Sequence, residues 1–182
     1  MLVSVALFAT IAVMALGALL SLSVADRRAE AMKSAMDNLT FALDSMSRAI
    51  RTGSTYHCGS TGVYTTTQDC PTGSNFLTLA TANGSRVYYQ LDTAQDATSH
   101  CGQTTLPYGC IERSTDGSTW FPITSPDLVL SSTGFLFYST GAAVAGVQPV
   151  VLITTSGVVQ ITGAQQQTFR MQTAVTQRIY DL

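Results

Sequence analysis

Two hydrophobic periods divide this chain. Residues 1–25, MLVSVALFATIAVMALGALLSLSVA, are apolar on every side, and no charge comes before Asp26. From Ala25 onward the apolar positions are Ala29, Met32, Met36, Leu39, Leu43, Met46 and Ile50. Their steps alternate between three and four, which places them on one stripe of an α-helix. Ala35, Ala42 and Ala49 fall beside the stripe and widen it, while Phe41 lies outside it. After Gly53 the period becomes two, with turn residues at regular spacing, which predicts β-structure.

No proline and no glycine pair separates the two apolar patterns, so they predict one helix from near residue 1 to about 52. At 1.5 Å per residue that helix is roughly 78 Å long. Asp44 and Arg48 form an i,i+4 pair on its outer face. Arg48 and Arg51 favour the negative end of the helix dipole, and Gly53 is placed to cap it. The first half exceeds the roughly 20 residues that cross a bilayer. Its apolar positions include Leu2, Val5, Leu7, Phe8, Ile11, Val13 and Leu20, and hydroxyls such as Thr10 can bond back to helix carbonyls. A secretory signal peptide fits poorly, because there is no basic leader segment and the apolar run exceeds the usual core length. A retained membrane helix fits better. Gly17, the lone glycine of that half, is the expected point of any local unwinding.

In the remainder, FLTLATANGSRVYYQLD reads as a hairpin with Asn83-Gly84 suited to a type I′ turn, and CIERSTDGSTWFPI as a second turning at Asp116-Gly117. GFLFYS, PVVLITTSGVVQI and TFRMQTAVTQR supply further strands. The expectation is an α+β fold: residues 1–25 as the transmembrane half, 26–52 as the amphipathic half, and 53–182 as an antiparallel head of six to eight strands. The head includes a Cys-rich segment, 54–121. Met32, Met36, Leu39, Leu43, Met46 and Ile50 are expected to pack on the sheet as its only cover. A two-stranded coiled coil is the alternative use of the stripe, but the pattern lasts under four heptads.

Charge changes the picture little. Only 11% of residues are charged, net charge is −2, and no basic cluster extends beyond Arg27-Arg28, so no nucleic-acid partner is expected. The four cysteines, Cys58, Cys70, Cys101 and Cys110, lie in Thr/Ser/Gly-rich stretches and read as disulfides, with local pairing favoured because each bridge staples one loop. The echo of His57-Cys58 in His100-Cys101 suggests zinc, but the cysteine separations do not match the short spacings of zinc modules. Arg27 and Arg28, taken alone, would place the head in the cytoplasm. The cysteines place it outside. A basic leader ahead of Met1 would reconcile the two.

Catalytic chemistry is sparse. There is no G-x-S-x-G elbow, and both histidines adjoin cysteines, so an enzyme is not expected. Asp92 with Asp96, or Asp116 with Asp127, are the candidate calcium ligands, but the D-x-D-x-D-G loop is lacking. No cofactor or metal is expected. Asn38-Leu39-Thr40 and Asn83-Gly84-Ser85 match glycosylation sequons.

A continuous N-terminal helix, half membrane-spanning and half packed on an antiparallel sheet, resembles the layout of type IV pilins and pseudopilins. MLVSVALFATIAVMALGALLSL is similar to the apolar helix that follows the processing motif of that family. SMSRAIRTGSTYHC and TFRMQTAVTQRIYDL resemble the helix end and last strand of minor pseudopilin-like proteins. The processing motif itself would lie upstream of Met1. The resemblance implies a minor pilin or pseudopilin of a type IV pilus, type II secretion or competence-type filament. Its partners would be other pilin subunits, met through the N-terminal helix. It would be a single-pass protein of the cytoplasmic membrane with an extracytoplasmic head, and after assembly part of a surface or periplasmic filament. The second function class is a membrane-anchored binding or adhesion domain that does not polymerise.

Overall fold

The computed structural model describes residues 2–93, 100–101, 109–161 and 165–178. One helix, α1 (Leu2–Thr52), runs unbroken through both apolar patterns, Gly17 included. Among the described residues nine strands follow: β1 (Ser54–Cys58), β2 (Cys70–Ser74), β3 (Phe76–Ala80), β4 (Arg86–Asp92), β5 (Cys110–Ser114), β6 (Phe121–Pro122), β7 (Leu128–Thr140), β8 (Val150–Ile161) and β9 (Gln165–Thr176).

The strands form two antiparallel sheets, not the single meander that the alternation predicts. One has the order β1-β3-β4-β5-β6 and the other β2-β7-β8-β9. The split arises between the first two cysteines, where β1 pairs with β3 but β2 leaves to pair with β7. The Cys58–Cys70 disulfide ties the two sheets together at that point, with Cα atoms 5.5 Å apart.

α1 packs on β8 and β9. Leu39, Leu43, Met46 and Ile50 are buried with Ala35 and Ala42, while Met32, Met36 and Ala49 are partly buried against the same core. Ala29 is exposed, and the first half-buried positions after Val24 are Ala31 and Met32. The packed half therefore begins later than the boundary at residue 26, because the stripe continues past the edge of the head. Nor is the helix the only cover. Leu77, Leu79, Tyr89 and Ile111 of the first sheet share one apolar cluster with Phe135, Phe137, Val151 and Ile153 of the second and with the helix stripe. Alternation along β4 shows why: Val87, Tyr89 and Leu91 turn inward while Tyr88 and Gln90 do not.

The end of α1 is closed by the head. The Tyr56 hydroxyl lies 2.6 Å from the Ile50 carbonyl and 2.8 Å from that of Gly53. The Arg178 backbone N–H donates to the Arg51 carbonyl at 2.9 Å, and Gln177 Nε2 donates to the Gly53 carbonyl at 3.1 Å. Carbonyls that a helix end leaves without partners are thus satisfied from β1 and the end of β9. Gly53 differs from its predicted role, since it is not in the left-handed region, which Thr55 occupies instead. What requires glycine is close approach: a Cβ there would sit 2.6 Å from Leu79 Cδ1 and 2.8 Å from the Ala49 carbonyl oxygen.

The β3–β4 turn also differs. Gly84 is left-handed but Asn83 is not, so a type I′ turn, which needs both, is not formed. Thr81 instead accepts from Gly84 N–H and donates to the Ser85 carbonyl, giving a longer loop.

Candidate functional site

The apolar half of α1 projects from the head with its side chains exposed. Val5, Leu7, Phe8, Ile11, Val13 and Leu20 touch nothing that would keep them from solvent. Of the apolar positions expected on this half, the side chain of Leu2 lies outside the described residues. From Leu2 to Val24 the helix covers about 35 Å, more than the roughly 30 Å of a bilayer core. It is long and apolar enough to cross a membrane. Thr10 Oγ1 donates to the Leu7 carbonyl at 2.9 Å, so its hydroxyl is satisfied within the helix. Farther along, Phe41 is 75% exposed on the side away from the head, two residues from Leu39 at 0%. The Asp44–Arg48 pair closes at 2.7 Å on the same outer side.

The four cysteines form two local disulfides, Cys58–Cys70 and Cys101–Cys110. They are therefore not zinc thiolates in this state. The two neighbouring histidines have separate surroundings. The His57 ring is buried, with Nδ1 2.9 Å from the Thr66 carbonyl and Nε2 2.9 Å from that of Thr61, so it clamps the loop between β1 and β2. His100 is half-exposed and faces Glu112.

The expected calcium ligands are not assembled as written. Asp96 lies outside the described residues. Asp116 is held in its own turn, accepting from Ser118 N–H at 2.8 Å, Thr119 N–H at 2.7 Å, and the Thr119 and Ser114 hydroxyls. Those bonds, led by the Thr119 backbone N–H, hold its carboxyl well below the usual range. Asp127 contacts Ser125, two residues away. Asp92 instead meets His100 and Glu112. Of the two sequons, Asn38 is half-buried and its Oδ1 accepts from Ser125 N–H at 2.7 Å, so it anchors the helix to the chain before β7. Asn83 is exposed at its turn.

Three features have no counterpart in the sequence reading. Asp69 accepts from the Ser139 hydroxyl and from the backbone N–H groups of Gly141, Ala142 and Ala143, ordering the start of the β7–β8 connection. Tyr64, Phe76, Tyr88 and Trp120 form a chain of ring contacts on the outer face of the first sheet, with centroids 5.4–6.5 Å apart. Glu112 is buried on that face, and burial raises its carboxyl above the usual range. Only the aromatics left a signal, as rings on β3 and β4 (Phe76, Tyr88) and in the loops beside them (Tyr64, Trp120). No family model matches the chain, and no curated protein and no solved structure matches it either.

Proposed function

We propose that the chain is a structural subunit of a helix-assembled filament, of the minor pilin or pseudopilin kind, anchored in the cytoplasmic membrane before assembly. One observation carries this reading: a single rigid helix has an exposed apolar half continuous with a half locked into a disulfide-tied head. An anchor alone needs no rigid link to its domain. A filament does, because each head must stand at a fixed distance and rotation from the shared apolar axis. The exposed half satisfies its burial requirement in lipid or against other helices of its kind.

The test is fractionation of cells expressing the chain from its native locus, with cysteines placed at Val5 and Leu20 for cross-linking. A filament subunit appears in the sheared-filament fraction and cross-links to other subunits through those positions. A chain confined to the membrane, with no subunit cross-links, overturns the proposal. That result supports the second reading, a membrane-anchored binding domain, for which the Tyr64–Phe76–Tyr88–Trp120 surface is the specific motive.

A further inference from the structure

On the outer face of the first sheet a buried carboxylate has one oxygen without a well-aligned hydrogen bond. Glu112 on β5 is 1% exposed, although it points away from the core side, which Ile111 occupies. Its Oε2 accepts from Gln90 Nε2 at 3.1 Å, directly across on β4. Its Oε1 is buried and accepts no hydrogen bond of acceptable geometry. His100 Nδ1 is nevertheless 3.0 Å from that oxygen. Asp92 pairs with Cys110 one step along the same face, and donor atoms of Asp92, His100 and Glu112 all lie within 4.8 Å of one another.

A nitrogen and a carboxylate oxygen 3.0 Å apart suit an ion pair when the imidazole is protonated, and suit two ligands of one ion when it is neutral. Donors 2.0–2.1 Å from a tetrahedral metal stand about 3.3 Å apart. Two carboxylates sharing such a space repel, and a cation between them would relieve that repulsion. We propose that Asp92, His100 and Glu112 bind a divalent cation of the zinc type through one imidazole nitrogen and two carboxylate oxygens, with water completing the shell. The imidazole favours a transition metal over calcium, which takes six to eight oxygens.

The surrounding structure fits that role. The Cys101–Cys110 disulfide, with Cα atoms 5.5 Å apart, holds the residue before Cys101 over β5 and so delivers His100 to Glu112. Gln90 fixes the Glu112 carboxylate by donating to its Oε2, and the His100 backbone N–H donates to Asp92 Oδ2 at 3.3 Å. His100 is 49% exposed at its side chain, which leaves a path from solvent. Reduction would expose a different donor set, Cys101, Cys110 and Glu112, so the disulfide must be intact when binding is measured.

The experiment uses the full chain in detergent, stripped with chelator and confirmed oxidised by mass. Zn²⁺ is titrated against a chromophoric chelator, with Ca²⁺ in parallel. The expected result is one Zn²⁺ per chain at micromolar affinity or tighter, with Ca²⁺ at least 100-fold weaker. His100→Ala and Glu112→Gln should each weaken Zn²⁺ at least tenfold while melting in chelator as a folded protein. Absence of saturable Zn²⁺ binding overturns the proposal, as does binding unchanged in both variants. It is also overturned if His100→Ala lowers the melting temperature equally with and without Zn²⁺, since His100 would then serve only as an ion-pair partner. Glu112→Gln can be replaced by Asp92→Asn if the former fails to fold.

Discussion

Leu39 and Phe41 are both large and apolar and stand two residues apart on α1, yet their environments are opposite: 0% exposed against 75%. Truncating each to alanine therefore tests whether the helix stripe holds the head together. Leu39→Ala removes an isopropyl group, at about 0.8 kcal/mol per methylene-sized unit, or roughly 2.4 kcal/mol in transfer alone. Leu39 lies between the helix and β8–β9, where neighbours fixed by sheet hydrogen bonds cannot close the gap, so a cavity term adds to this. The total falls at about 2–5 kcal/mol. For a domain of this size each kcal/mol shifts Tm by about 2–4 °C, so the loss is about 4–20 °C. Phe41→Ala should stay within about 0.5 kcal/mol of the parent, as surface substitutions do. Leu43→Asp, which buries an unpaired carboxylate at a 5% exposed site, should be worse than Leu39→Ala. Thermal melts of a fragment beginning near Asp26 provide the assay. Equal melting of the Leu39 and Phe41 variants would refute the claim that the stripe packs on the sheet.

Non-reduced mass spectrometry should find the chain four protons lighter than its thiol form. Replacing Cys58 and Cys70 with alanine should cost about 3 kcal/mol by denaturant unfolding, since that bridge closes a loop and cross-links the two sheets. Gly53→Ala should destabilise by about 1–3 kcal/mol because its methyl meets Leu79 and two backbone carbonyls; a neutral melt would contradict the close approach of Gly53 to β3. Asp116, whose folded carboxyl titrates below its unfolded value near 3.9, adds stability above that pH and loses it as pH falls toward the folded value. Asp116→Asn should therefore be less stable than the parent at pH 7, with the gap closing between about pH 4 and pH 2 in paired melts.

The helix was legible because seven apolar positions repeat at one period with nothing to interrupt them. Its burial follows that stripe through Ile50, and Phe41 falls outside in both descriptions. The hairpins at Gly84 and Gly117 were legible as places, but the type of the first was not, since Asn83 takes an ordinary backbone conformation. The division into two sheets was hidden, because β1 and β2 are five-residue strands, STYHC and CPTGS, without alternation, and their partners are chosen by distant strands. The Asp92–His100–Glu112 group was hidden for a similar reason. Local spacing pairs Asp92 with Asp96, whereas the β4–β5 register that brings Glu112 beside Gln90 is a tertiary fact. His57 and His100 look alike in sequence, and only their neighbours distinguish a loop clamp from a candidate ligand.

The way α1 meets β9 has a mechanical consequence. The helix packs against the last two strands, and its end is bonded to Gln177 and Arg178, just past the end of β9. A pull along the helix axis would therefore load the interface in shear, with the buried stripe from Ala35 to Ile50 and the terminal hydrogen bonds resisting together. A pull across the axis would peel the contacts one turn at a time, starting at the half-buried Met32. The head should thus bear far greater axial tension than sideways force, and a single-molecule pull in the two directions would read that anisotropy directly.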